Sequence, residues 1–294
     1  MSPPHSSDSF TTPPISGTRR DEVDAMDTRF LADEMSLWLT PAYGAANVVM
    51  QLANAAVAYG VMESTVDSGN LHKHPFKRGR TTLTYIAVAV AGNARDRQIY
   101  REAVGQAHKF VRSSKQSPVR YNAFDPALQL WVGSCMALVF EDSRRLRGGR
   151  TYHDPDEIHR AAAIFATTLQ VPPQLWPADR QALARYREEQ LQRLDFDDRM
   201  REFLIGTARL DFLPAPTEKL LGDWNLFMTL GYLPPTLRAK LGFDWTDAQQ
   251  RRFESLLRLL RVLDRLTPHL IAHLGLRLLI WDMRARHAIG ITVV

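Results

Sequence analysis

Apolar residues recur every three to four positions along nearly the whole chain, the spacing of helices rather than strands. The segment RDEVDAMDTRFLADEMSLWL, residues 20–39, is amphipathic. AYGAANVVMQLANAAVAYGVM is Ala-rich and apolar almost all round, which predicts a core helix between Leu37 and Met62. In TTLTYIAVAVAGN the threonines suit an N-cap, and Gly92-Asn93 is a stop signal. The next helix, REAVGQAHKFVRSSK, sets Val104, His108 and Val111 on one stripe. SPVRYNAFDP is a loop by composition, and ALQLWVGSCMALVFEDSRRL is a second strongly apolar helix. DPDEIHRAAAIFATTL opens with Asp154 ahead of Pro155, a helix start. Further helices are expected over 178–193, 196–212, 217–230, 246–265 and 267–287, separated by Pro-containing breaks. Alternating strand runs and internal repeats are not found. The expectation is an all-α fold, a single large helical domain over residues 21–294 behind a disordered Ser/Pro/Thr-rich tail over 1–20.

Composition narrows the classes. Hydrophobic residues make up 45% of the 294, enough for a sizeable core. Cys135 is the only cysteine, which excludes an internal disulfide and any Cys-rich zinc or iron–sulfur site; its apolar setting predicts a buried side chain. The net charge is +5, and 31 of the 37 basic residues are arginine, the better partner for carboxylates and phosphates. These cations are spread among acids on amphipathic helices, with no basic block, so nucleic acid is not the expected partner. MSPPHSSDSFTTPPISGT lacks a basic stretch followed by an apolar core, so a secretory signal is not expected. Pro41, Asn47, Gln51 and Asn54 interrupt the Leu37–Met62 run, so no transmembrane segment is expected. A cytoplasmic location follows, with peripheral membrane contact left open.

The chain carries no phosphate-binding glycine loop, no HExxH and no GxSxG. His269 and His273 stand four apart, but a metal site there lacks a third ligand, and structural or surface roles are expected. His72 and His74 fall in a loop before Pro75, and His153 and His159 flank a helix start and read as surface residues. His108 differs, because its spacing puts an imidazole on the buried side of a helix. Two roles are open to it: a core histidine bonded to a carbonyl, or a ligand to haem iron. Arg112, four residues on, would share its face and could bond a haem propionate. Lys77, Arg78 and Arg80 crowd before Thr81 at an expected helix N-terminus, an end that disfavours cations. They form either a solvated loop or the seat of an anionic group.

Four motifs lie in series. They are Arg80-Thr81 in KRGRTTLTY, His108 and Arg112 in GQAHKFVR, YNAFDPALQLWV from Tyr121 to Val132, and LPPTLRAKLG with Arg238. Together the series resembles the family of the latex-clearing rubber oxygenases and the MpaB-type oxygenases, over roughly residues 25–250. The resemblance implies an all-α fold with a globin-like core holding haem b, with His108 as the axial iron ligand. It implies that Arg80 replaces a lysine approaching the distal face of the iron, so that Arg80 and Thr81 are the catalytic candidates. His108, Arg112, Thr81, Lys77 and Arg238 are the candidates for holding the cofactor. The implied reaction is oxygenation of a hydrophobic, isoprenoid-like small molecule with O2.

The chain departs from the family pattern at named positions. Gly105 stands where the helix motif opens with arginine, Lys77 holds the first basic position, and Gly133 replaces a histidine found in many relatives. A catalytic carboxylate upstream has Glu63 as its nearest candidate, against a simpler reading as a surface acid at a helix end. Rubber itself is not expected as substrate, since a polymer cannot enter a cell. A non-catalytic carrier of an apolar ligand on the same fold, and a helical interaction protein without a small ligand, stay open beside the oxygenase reading.

Overall fold

The computed structural model describes residues 19–64, 74–268 and 270–294, and within them the chain is all-α. The helices are α1 (Arg20–Ala25), α2 (Leu39–Leu52), α3 (Ala55–Met62), α4 (Pro75–Ala91) and α5 (Ala94–His108). Then follow α6 (Pro126–Leu146), α7 (Pro155–Ala162), α8 (Ile164–Thr167), α9 (Arg180–Arg193) and α10 (Asp198–Arg209). The chain ends with α11 (Ala215–Tyr232), α12 (Pro235–Lys240), α13 (Asp247–Leu266) and α14 (Leu270–Ala288).

Helix α2 is the hub, packed between α6, α10, α11 and α13. Its Leu39, Tyr43, Ala46 and Val49 are almost completely buried. A second group forms around α4, which packs on α5, α8 and α14. Helix α6 joins the two groups by packing on both α2 and α8. Small residues set the spacing at that junction. A Cβ added at Gly133 on α6 would lie 2.8 Å from the Cα of Ala166, so the two backbones meet there with no room for a side chain. Cys135, two residues further along α6, is fully buried as expected, and burial pushes its thiol up to about 12.

Buried Arg97 fastens the N-terminal segment to this frame. Its guanidinium donates to the carbonyls of Asp24 (2.6 Å), Met26 (2.9 Å) and Ala89 (3.3 Å) and to the Thr28 hydroxyl (2.5 Å). Four acceptors offset the cost of desolvating a cation. Asn93 caps α5 with a reciprocal capping box to Asp96, and Arg284 of α14 grips the same carboxylate at 2.7 and 2.8 Å.

Several expected helices are broken. The run from Leu37 to Met62 is two helices bent by 101°, because the Asn54 side chain accepts from the amides of Ala56 and Val57 and caps α3. The amphipathic run after Arg20 is α1, then a 3-10 turn over Arg29–Ala32, then coil. The threonines of TTLTY do not cap α4: it starts six residues earlier, with His74 as N-cap and Pro75 in its first turn. Asp154 and Pro155 do open α7 as expected, but a bend at Ala163 divides α7 from α8. Among the described residues no single helix is long and apolar enough to cross a membrane.

Candidate functional site

The candidate site lies where α4, α5 and the connection from α5 to α6 meet. His108 is the last residue of α5. Its stripe does not run on through Val111 and Arg112. There the chain turns and pairs with itself: Ser113 donates to the carbonyl of Tyr121 (2.8 Å) and Ala123 to that of Val111 (2.9 Å). This pairing supplies the backbone hydrogen bonds that a further helical turn would have made. Arg112 therefore leaves the helical face it was expected to share with His108. It is exposed, bridged opposite Asn122, and donates to the carbonyl of Lys109 at 2.8 Å.

The imidazole of His108 is half-buried and meets the Phe124 ring edge-on, with centroids 6.2 Å apart. Its Nδ1 is buried and has no hydrogen-bond partner. Burial first, and the charge of Arg78 second, lower its pKa from the usual 6.5 to about 4. The ring is thus neutral at physiological pH, with an unused ring nitrogen.

Arg78 supplies the nearby charge. Its own pKa is lowered by burial, yet its side chain is open to solvent-sized contact. Tyr100, whose charge state also couples to Arg78, donates from its hydroxyl to the carbonyl of Thr81 at 2.7 Å. Arg78, Thr81 and Tyr85 recur at three and four residues and so share one side of α4. Thr81 is half-buried, and its hydroxyl donates back to the carbonyl of Lys77 at 3.0 Å.

The cations expected at a helix N-terminus do lie in the first two turns of α4, but on different sides of it. Arg80 points roughly 160° away from Arg78 around the helix and is exposed, and Lys77 lies between them. Of the three, Arg78 is the one whose charge bears on His108, a distinction the sequence cluster did not make. The signal that could have made it is the spacing of Arg78, three residues before Thr81 on a helix that starts earlier than expected.

Arg238 is engaged in another corner. It donates to the carbonyl of Leu230 at 3.0 Å and stacks over Trp245 at 5.0 Å, where α11 turns into α12. Glu63, at the end of α3, is not the surface acid of the simpler reading. It accepts from the hydroxyls of Ser117 (2.6 Å) and Tyr121 (2.9 Å), which ties α3 to the connection that carries Phe124. Gly105 is not spare room: a Cβ there would meet the amide nitrogen of Gln170 at 2.8 Å.

His153, His159 and His273 have structural roles. His159 is buried rather than on the surface, stacked on Trp176 and bonded to the carbonyl of Pro177 at 2.9 Å. His153 (3.1 Å) and His273 (2.7 Å) both bond the carboxylate of Asp33. His72 and His269 lie outside the described residues. Among the described residues no set of three or more His, Cys, Asp or Glu side chains is arranged to hold a metal ion by itself.

Among the described residues, then, an all-α frame brings a neutral histidine with an unpartnered Nδ1 near the charge of an arginine. The comparisons place the chain more narrowly. Residues 28–262 match the family described as ER-bound oxygenase mpaB/B'/rubber oxygenase, catalytic domain, and the chain belongs to that family. It is therefore a member of an oxygenase catalytic-domain family. An uncharacterized protein of Mycobacterium tuberculosis is 49% identical over 251 residues, 85% of this chain and 98% of the relative. An uncharacterized protein of Mycobacterium bovis matches to the same extent. No solved structure matches the chain significantly.

Proposed function

We propose that this protein is a haem b-dependent oxygenase that acts with O2 on a hydrophobic small molecule of isoprenoid type. The family supports the oxygenase part. The observation that carries the haem part is the Nδ1 of His108, buried and without a partner on a ring held neutral. Leaving a buried polar atom unsatisfied is costly, and a neutral imidazole is the form that binds iron. Haem iron, when bound, supplies the binding and activation of O2.

The chain's own residues have separable tasks in this reading. His108 would hold the iron. Arg78, desolvated and without a carboxylate among the influences on it, would pair with a propionate. Tyr100 fixes the backbone at Thr81 and so the face of α4 that carries Arg78. Val104, one turn before His108, and Phe124 offer apolar surface that keeps water from the ring and suits an alkene. Glu63 holds the Phe124 connection against α3 through Tyr121 and Ser117.

An absorption spectrum tests the proposal. Protein purified with haem, or given haemin, is expected to show a Soret band that His108→Ala removes or shifts. A protein that stays colourless and takes up no haemin overturns the haem part. Haem binding without O2 uptake in the presence of isoprenoid alkenes overturns the oxygenase part.

A further inference from the structure

Helices α13 and α14 each carry two apolar stripes, and only one of the two is used in the core. On α14 the inner stripe is Leu276, Ile280 and Met283, all buried. The outer stripe is Leu270, Leu274, Leu278 and Trp281, the last two 66% and 71% exposed. These four fall at i, i+4, i+8 and i+11, one side of the helix. On α13 the outer stripe is Leu259, Val262 and Leu266, at i, i+3 and i+7, with Leu266 76% exposed. Trp38 and Leu37 are exposed as well, and the Trp38 indole donates to the hydroxyl of Thr267 in the turn between the two helices (2.8 Å). The exposed leucines and tryptophans thus gather about the α13–α14 corner. A monomer in water does not ordinarily leave so large an apolar area uncovered.

The charges around these stripes identify what covers them. Between Glu254 and Asp282 the only acid is Asp264. It is buried and paired with Arg147 at 3.1 Å, so it gives the surface no negative charge. Arg258, Arg265 and Arg277 are exposed over the same span. Over residues 255–281 the described face is therefore apolar, has tryptophan at its margins, and carries only positive exposed charge, the part-exposed Asp33 beside it being taken up by His153 and His273. A protein partner would need a matching apolar face bordered by acids. A bilayer with anionic headgroups offers both properties over any area, and leucine, tryptophan and arginine together are the composition of helices lying in its interface.

We propose that the outer face of α13 and α14, with Leu37 and Trp38, docks on the surface of a membrane containing anionic lipid. The helices lie on the bilayer and do not cross it. Because α14 packs directly on α4, docking sets the helix that carries Arg78 and Thr81 one layer from the lipid. The proposal stands apart from the haem reading, and its test needs neither cofactor nor substrate.

The full chain is mixed with phosphatidylcholine vesicles, with or without phosphatidylglycerol, and sedimented. Co-sedimentation is expected with the anionic vesicles and is expected to weaken as salt is raised. Replacing Leu274 and Leu278 by Glu together is expected to reduce binding by roughly tenfold or more. Arg265→Gln and Arg277→Gln are each expected to cost roughly fivefold on anionic vesicles and nothing on neutral ones. In the unaltered protein, brominated lipid is expected to quench tryptophan fluorescence, and Trp281→Phe to remove most of that quenching. This last reading does not depend on how the double variant folds. No binding to either vesicle overturns the proposal. So does lipid-independent self-association that the two leucine substitutions abolish, because the face would then belong to a second copy of the chain.

Discussion

Arg78 on α4 bears electrostatically on His108 at the end of α5, and this charge adds to burial in keeping the imidazole unprotonated. Neither residue has a carboxylate among the influences on it. Arg78→Gln is therefore expected to raise the pKa of His108 above about 4, while burial keeps it below the usual 6.5. It is also expected to weaken haemin uptake. NMR titration of the ring checks the first outcome, and an unchanged pKa would show that the two groups do not interact.

The same ring makes the fold acid-sensitive. A pKa of about 4 in the folded protein against 6.5 in the unfolded chain means that only the unfolded chain takes up this proton between those values. Stability is expected to be complete above pH 6.5 and to fall as pH drops toward 4, by up to roughly 3 kcal/mol from this group. Buried His159, also lowered by desolvation, acts in the same direction. Urea titrations over this range should show a shallower decline for His108→Gln than for the unaltered protein.

The contact between Gly133 and Ala166 predicts a packing limit. Gly133→Ala places a carbon 2.8 Å from the Cα and 3.0 Å from the backbone nitrogen of Ala166, so α6 and α8 must separate. A loss of about 1–3 kcal/mol and a drop of a few degrees in Tm are expected. Ala166→Gly should restore only part of the stability, since it removes the Ala166 Cβ at 3.0 Å but leaves the closer Cα and the backbone nitrogen. Thermal unfolding of the single and double variants decides this.

Arg97→Met removes a buried cation together with its donors to Asp24, Met26 and Thr28, while the Ala89 carbonyl keeps the Thr28 hydroxyl. Stranding those acceptors is expected to cost about 3 kcal/mol or more. The N-terminal segment should open first, so limited proteolysis is expected to cut within residues 20–32 before the rest of the chain. Uniform cleavage instead would show that Arg97 does not fasten that segment in particular.

Much of the candidate site could be anticipated at the level of single residues, and less at the level of their arrangement. His108 was found because an imidazole on an apolar stripe stands out. Its expected neighbour Arg112 was misplaced because spacing of four residues has meaning only while the helix continues, and α5 stops at His108. The competing signal was present in TYR-containing RYNAFDP, whose strand-like pairing with residues 111–113 is a contact between segments ten residues apart. Arg78 was read only as one of a cluster with Lys77 and Arg80: α4 begins at Pro75, so the three stand inside a helix, where Arg78 lies on the face of Thr81. Glu63 was read as a surface acid because its partners, Ser117 and Tyr121, are more than fifty positions away.

By itself the sequence determined the helical class, the burial of Cys135, the start of α7, and the family series of motifs. These are local matters of periodicity, capping and composition, and a chain carries them in adjacent residues. The tertiary structure alone decided which cation reaches His108, that no side chain fits at Gly133, and that two apolar stripes of α13 and α14 are left facing outward. Those outcomes depend on distances between helices far apart in the chain, and close packing fixes such distances only when every helix is in place.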